Sequence, residues 1–323
     1  MKFLLSTYST AFAISGGGES EMVQVAETLS EVSHIADIYG IQSRSIDFYD
    51  AYMHFSVHAD GWALFQLLSQ HNKSLLLWPN VWWPVSPGQD ELNRVGQFVK
   101  LARKLLFKTQ AERDNFLQFV PVPIEKTIVL PVCLSKRFVE QPDIALAKTI
   151  VDFENYVISL GRIEPVKNQL NLIRALKQLK LKGVLVGGSN DPGYLAQCKA
   201  EGQEHIAFLP FVKPCSNVLV SLLAGASAMA EPCFDPSGRS SLEGALLAKP
   251  LVLASHQTNQ ELLGPHFYAA QPDSVDSIAI AIELALKDNK NHAAAAAEWV
   301  RTRNASDEAI DRFALAVVDA CDE

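Results

Sequence analysis

The chain has 323 residues, 48% of them hydrophobic, with a formal charge of −8 and a pI near 5.5. That is enough apolar material for two packed domains of ordinary size, and the acidic balance excludes a general nucleic-acid binder. No apolar run approaches the roughly 20 residues a membrane-spanning helix needs, and five scattered cysteines with no Cys-x-x-Cys pair or zinc-spaced histidines read as reduced thiols of a cytosolic protein.

Taken in order, residues 2–7 are predicted as the first β-strand. Met1-Lys2, Phe3-Leu4-Leu5 and Ala11-Phe12-Ala13 have the outline of a signal peptide, but Ser6, Thr7, Tyr8, Ser9 and Thr10 are too polar for its apolar core. A loop then reaches Gly16-Gly17-Gly18, and a helix over about 19–31 turns Val23, Val25, Ala26 and Leu29 inward. Strand, glycine turn and helix in succession open a Rossmann-like domain, whose ligands gather at strand C-terminal ends. Gly17 and Gly18 are therefore candidate ligand contacts, the simpler reading being a flexible loop. Strands follow at 34–39 and 52–55. After the second, His58 with Asp60 two residues on could orient an acceptor hydroxyl or take its proton, or could be a hydrogen-bonded residue at the core edge.

A helix at 62–71, a strand at 75–78, a helix at about 90–103, and strands at 105–108 and 127–131 continue the alternation of a parallel sheet covered on both faces. The run Trp78-Pro-Asn-Val-Trp-Trp-Pro84 either stacks its aromatic faces on a sugar or packs as a loop over the core. Lys100, Arg103, Lys104, Lys108 and Arg113 either meet an anionic membrane surface or form solvated helix faces.

Mixed polarity and Pro142 place an interdomain linker over about 133–155. The predicted domains are 1–145, 146–304 and a C-terminal helix at 305–323. The second sheet uses strands at 157–160, 183–187, 205–209, 227–230 and 251–254, and residues 267–270 help complete that domain. The first of these ends in Gly161-Arg162, and Lys167 follows at the start of an amphipathic helix carrying Leu170, Leu172, Ile173, Leu176 and Leu179. One guanidinium and one ammonium beside a strand end suit a diphosphate. Strand 227–230 leads into Asp235-Pro-Ser-Gly-Arg-Ser-Ser-Leu-Glu243. Pro232 and Pro236 forbid regular structure there, Gly238 permits close backbone approach, and Ser240 and Ser241 open a helix with Leu242, Leu246 and Leu247 inward. Free N–H groups and the helix dipole then point at one spot that suits a phosphate, ordinary helix capping being the plainer reading. Cys233 beside it is expected to be a buried, inert thiol. Glu261 is expected to begin a short helix, and 273–287, 293–297 and 306–321 to be helical.

Gly161-Arg162…Lys167 followed by Asp235-x7-Glu243 resembles the family-4 retaining glycosyltransferases of the GT-B fold (the glycogen synthase and sucrose synthase-like clan), whose pattern is Gly-Arg…Lys and then Glu-x7-Glu. The resemblance is strong over about 155–285 and looser before. The chain departs from the pattern at Asp235 for the first Glu, at Pro210 for a usual Gly, and at Pro79-Asn80 for a common Pro-His. The resemblance implies two Rossmann-like α/β domains whose parallel sheets face a central cleft, with the C-terminal helix crossing back to the first domain. It implies a hexosyltransferase that moves a sugar with retention from a nucleotide-diphosphate sugar, UDP or GDP, to a glycan, glycolipid or glycoprotein. No metal or other cofactor is expected, and a cytoplasmic location with at most peripheral membrane contact.

Within that implied site, Arg162 and Lys167 neutralise the diphosphate and the charge that grows on it as the sugar leaves. Glu243 takes both ribose hydroxyls. Asp235 takes donor-sugar hydroxyls, helped by the amides of Ser237, Gly238, Arg239 and Ser240. Gly161 and Gly188 lie beside the donor, the Gly17-Gly18 loop closes over it, and His58 serves the acceptor. Arg239 either is a solvated surface side chain or meets a phosphate or an acidic sugar. Two other readings stay open. A nucleotide-sugar epimerase would need acid–base groups at the sugar. A non-catalytic subunit binding a glycan or partner is favoured by the changes at Asp235 and Asn80 and opposed by the presence of Arg162, Lys167 and Glu243 together.

Overall fold

In the computed structural model, which describes residues 1–14, 16–138 and 142–322, strands and helices alternate through two units, Met1–Cys133 with Arg303–Glu323, and Leu134–Thr302. The first runs β1 (Lys2–Ser6), α1 (Gly17–Glu31), β2 (Ile35–Ile38), β3 (Ala51–Phe55), α2 (Trp62–Ser69), β4 (Ser74–Trp78), α3 (Gln89–Leu101), β5 (Lys104–Phe107), α4 (Gln110–Leu117) and β6 (Thr127–Val129). Its six strands are parallel in the order β2-β1-β3-β4-β5-β6. Phe3, Leu4 and Leu5 of β1 and Leu75, Leu76, Leu77 and Trp78 of β4 are all buried, as a sheet covered on both faces requires. The C-terminal helix, Asp307–Asp322, belongs to this unit. Its Phe313 ring stacks 6.5 Å from that of Trp78, and the carbonyl of Cys321 accepts the Ser74 hydroxyl at 2.6 Å.

Two expectations for this unit are corrected, and of the two readings of the tryptophan run the packed one holds. The glycine loop is shorter than predicted, because Gly17 and Gly18 already lie in the first turn of α1; Gly16 caps the helix and donates its N–H to Glu19 Oε2 at 2.8 Å. The inward face of α1 is Met22, Val25, Ala26 and Leu29, with Val23 only half-buried. The tryptophan run is not an open platform. Trp78 and Trp83 are buried, Trp83 stacking 5.4 Å from Phe116 and donating Nε1–H to Glu91 at 3.0 Å.

The second unit runs α5 (Ile144–Ile150), β7 (Tyr156–Leu160), α6 (Gln169–Gln178), β8 (Lys182–Val186), α7 (Pro192–Gly202), β9 (Ile206–Leu209), α8 (Asn217–Gly225), β10 (Ala228–Glu231), α9 (Arg239–Leu246), β11 (Leu251–Ala254), α10 (Gln257–Leu263), β12 (Tyr268–Ala270), α11 (Val275–Lys287) and α12 (His292–Val300). The predicted linker stretch contains α5, capped by Asp143 Oδ1 on the N–H of Ala145 at 3.0 Å and tied to α8 by the Ala147 N–H donating to Ser221 Oγ at 2.8 Å. Residues from Leu134 to Thr302 thus pack with the second unit.

The second sheet is parallel, in the order β12-β11-β10-β7-β8-β9. The chain enters at β7, works outward through β8 and β9, and returns to β10 on the other flank of β7. The helical connections on the two sides therefore diverge between β7 and β10, and the crevice outside those two strand ends is where open α/β sheets bind ligands. The same reversal in the first unit lies between β1 and β3. Among the described residues no helix is long and apolar enough to cross a membrane, and all five cysteines are free.

Candidate functional site

The turn after β7 is shaped by glycine. Gly161 has φ +129° and Gly187, in the turn after β8, has φ +156°, values that L side chains rarely adopt. A Cβ on Gly187 would lie 2.0 Å from the Gly161 carbonyl oxygen, so the two turns touch backbone to backbone. The N–H of Gly161 donates to Val186 O at 3.0 Å and that of Ile163 to Gly188 O at 2.8 Å, whereas open space surrounds the Cβ position of Gly188 itself. The sequence marks a glycine turn at the end of this strand but singles out Gly188 rather than Gly187.

Lys167 does not start the helix. It closes a short 3₁₀ turn, Pro165–Lys167, and Asn168 in left-handed backbone (φ 59°) separates it from α6. The buried Asn168 side chain donates to the carbonyls of Pro232 at 2.9 Å and Pro272 at 2.6 Å, and the Phe234 N–H donates to Val166 O at 2.9 Å. These bonds hold the 162–168 turn against the segment that leaves β10.

The consequence is that Lys167 Nζ lies 2.6 Å from Asp235 Oδ2, with the two side chains 24% and 26% exposed. Arg162 is more open, its Nε 3.9 Å from Glu164 Oε1. Burial disfavours the Lys167 charge, but the Asp235 and Glu231 carboxylates around it reverse the sign and its pKa lies above the usual lysine value. Burial pushes the Cys233 thiol far up, so it is protonated and inert at neutral pH. Three polar atoms in the same segment are buried without a hydrogen-bond partner: Glu231 Oε1, Asp235 Oδ1 and Ser237 Oγ. Buried polar groups are nearly always paired, so three orphans at one strand end mark a place built to receive hydrogen-bonding groups. Glu231 was not singled out from the sequence, where the strand was ended at residue 230 ahead of Pro232.

The loop into α9 is only partly as expected. Of the four candidate amides, that of Ser237 is already committed, donating to Asn259 Oδ1 at 3.1 Å; Asn259 is fully buried and donates Nδ2 to Ala254 O at 2.9 Å. Asn259 lies in α10, whose first turn it occupies, so Glu261 falls mid-helix. Arg239 is neither a solvated side chain nor an unpaired one. Its Nε donates to Glu243 Oε1 at 2.8 Å, one helical turn on, with the side chains 10% and 5% exposed. Burial raises the Glu243 pKa while Arg239 works against that rise. The structure thus sorts the candidate residues of this unit into two internal pairs, Lys167–Asp235 and Arg239–Glu243, with Arg162 standing at the rim.

In the first unit His58 is exposed at the end of β3. Its Nδ1 accepts the Asp60 N–H at 3.3 Å, and its ring lies 4.7 Å from that of Tyr8, which follows β1. Tyr8 donates its hydroxyl to Glu19 Oε1 at 2.7 Å, so β1, β3 and the start of α1 meet at the reversal of this sheet. Asn80, with φ 51°, accepts from Lys108 Nζ at 3.0 Å, and Glu21 and Glu112 carboxylates lie 3.5 Å from the same ammonium. Burial opposes the Lys108 charge but those carboxylates outweigh it, and Lys108 belongs to this cluster rather than to a basic surface. Among the described residues no group of three His, Cys, Asp or Glu side chains is placed to hold a metal ion.

Residues 142–301 match the family model described as glycosyl transferases group 1. A search of curated proteins found no match. Among solved structures, sucrose-phosphate synthase from Thermosynechococcus elongatus superposes with a TM-score of 0.77 at 16% identity, over 99% of this chain and 98% of that one. Anabaena Alr3699/HepE in complex with UDP-glucose gives 0.78 at 16% identity, over 99% and 100%. A glycosyltransferase from Rickettsia africae gives 0.77 at 15% identity, over 100% and 99%. The two parallel six-stranded sheets are thus those of the GT-B fold, and residues 142–301 are similar to the group 1 glycosyltransferases.

Proposed function

We propose that this protein transfers a hexosyl group from a nucleotide-diphosphate sugar, with UDP or GDP as the nucleotide, to a glycan, glycolipid or glycoprotein, with retention and with protein cations in place of a metal. The observation that carries the reading is the β7–β10 crevice, where Lys167 pairs with Asp235 beside three orphaned buried polar atoms, with Arg162 exposed on the turn after β7. In this reading Arg162, half exposed at the rim, and Lys167 receive the diphosphate. Lys167 exchanges its Asp235 partner for phosphate oxygen, and the freed Asp235 carboxylate accepts donor-sugar hydroxyls. Negative charge accumulates on the diphosphate as the sugar–phosphate bond breaks, so the two cations stabilise the transition state more than the bound ground state. Glu243, held in place by Arg239, takes the ribose hydroxyls, and Ser237, Gly238 and Ser240 line the phosphate end together with Gly161 and Gly188. Gly17, Gly18 and His58 serve the sugar end and the acceptor. Asp235, one methylene shorter than the family's usual Glu, favours a sugar that sits deeper or is reached through water.

Thermal stabilisation by UDP, GDP, ADP, CMP and dTDP tests this. One of them at about a hundred times its Kd should add about 2.7 kcal/mol, a rise of a few degrees in Tm, and Lys167→Ala should lose that rise. If none of the five shifts the wild type, the donor-site reading is wrong.

A further inference from the structure

Glu231 is a charge that donor binding by the pairs above does not use. It ends β10 at the reversal of the sheet and is 3% exposed, with Oε1 unpartnered. The groups around it come from four places: the Leu160 backbone at the end of β7, Lys167 from the turn after it, Cys233 and Asp235 from the loop after β10, and the Ser240 hydroxyl from α9. His256, before α10, is near enough to Asp235 to feel its charge. Two carboxyl groups therefore lean on one ammonium. If Lys167 turns to a diphosphate, Glu231 loses the cation that favours its ionised form and gains an anionic neighbour in a dry site, where an unpaired carboxylate is costly.

We propose that Glu231 is a positioning residue that takes up a proton from solvent as the donor diphosphate binds, its carboxylate becoming a neutral carboxyl, and returns that proton when the nucleotide leaves. Protonation lets Lys167 and Asp235 serve the donor without stranding a buried charge beside them. The inference rests on the reading of this crevice as the donor site. It is supported by burial, which raises the Glu231 carboxyl to about 7 against the pull of Ser240 and Lys167, so the group changes state near neutral pH with little expense. His256 is pushed the other way, its pKa lowered by burial.

Calorimetric titration with UDP-glucose, and with GDP-mannose as a second probe, tests this at pH 6.0 to 8.5 in buffers of different ionisation enthalpy. A sugar nucleotide is chosen because its bridging diphosphate lacks the terminal phosphate ionisation near pH 6. Above pH 7 the wild type should take up as much as one proton per donor, and its affinity should fall by as much as about tenfold per pH unit. Glu231→Gln should remove the uptake, flatten the profile and bind more tightly than wild type at pH 8. Equal heats in all buffers with the wild type overturn the proposal while leaving the donor site intact, as does undiminished uptake in folded Glu231→Gln. Failure of the wild type to bind either sugar nucleotide overturns the donor-site reading and this proposal with it.

Discussion

Lys167→Ala should weaken the protein before any ligand is added. The ammonium is 2.6 Å from Asp235 with both side chains about one-quarter exposed, a setting between two measured extremes. An exposed ion pair contributes about 0–1 kcal/mol, and stranding one partner of a buried pair costs about 3–5 kcal/mol. Interpolation gives about 2 kcal/mol for Lys167→Ala at pH 8, where Asp235 and Glu231 both lose their cation. Asp235→Asn alone should cost about 1 kcal/mol, because Lys167 keeps Glu231. The double variant should be no worse than Lys167→Ala, giving a coupling energy of about 1 kcal/mol. Urea denaturation followed by far-ultraviolet circular dichroism measures all four proteins. The fluorescence of Trp299, bonded through Nε1–H to Leu262 O at 3.1 Å, adds to the tryptophan signal a contribution from the second unit. Full additivity, or a Lys167→Ala variant as stable as wild type, would falsify the claim that these two residues hold each other in place.

The other predictions concern the same crevice. Gly187→Ala must move the Gly161 carbonyl and adopt a strained φ, costing about 2–4 kcal/mol, whereas Gly188→Ala, pointing into open space, should cost under about 1 kcal/mol; similar Tm values for the two would contradict the packing described. The Glu231 carboxyl titrates near 7 when folded against 4.5 when free, so its contribution to stability is complete below pH 4.5 and is lost as pH rises through about 7. That rise, at 1.36 kcal/mol per unit, is about 3 kcal/mol. Glu231→Gln should therefore flatten the decline between pH 4.5 and 8, and an unchanged stability–pH curve would show that the burial carries no such cost.

The strands were legible because a parallel sheet covered on both faces reads as short, continuous apolar runs, as in Leu75-Leu76-Leu77-Trp78 and Leu251-Val252-Leu253-Ala254. Helices with a weak apolar stripe were not. α4 is Gln-Ala-Glu-Arg-Asp-Asn-Phe-Leu, held by Phe116 in the core and by the Thr109 cap on Glu112, and α5 hid in a stretch whose polarity resembles a linker. In the crevice, Gly161-Arg162, Lys167 and Asp235 were legible from their places after strand ends, and the family resemblance supplied their expected roles and that of Glu243. What spacing could not show was who pairs with whom. Arg239 and Glu243 are one helical turn apart in the sequence, but nothing in the sequence states that both are buried. Asn259 and Glu231 depend on long-range burial between β10, β11 and the turn after β7. A polar residue at such a junction looks the same on paper as one in a solvated loop.

Amide hydrogen exchange with and without UDP-glucose or GDP-mannose tests the central claim most directly, because it locates the donor without altering the protein. The account predicts slowed exchange over 161–168 and 235–243, the segments that flank β7 and β10 at their C-terminal ends. Binding that leaves both segments unprotected would contradict it.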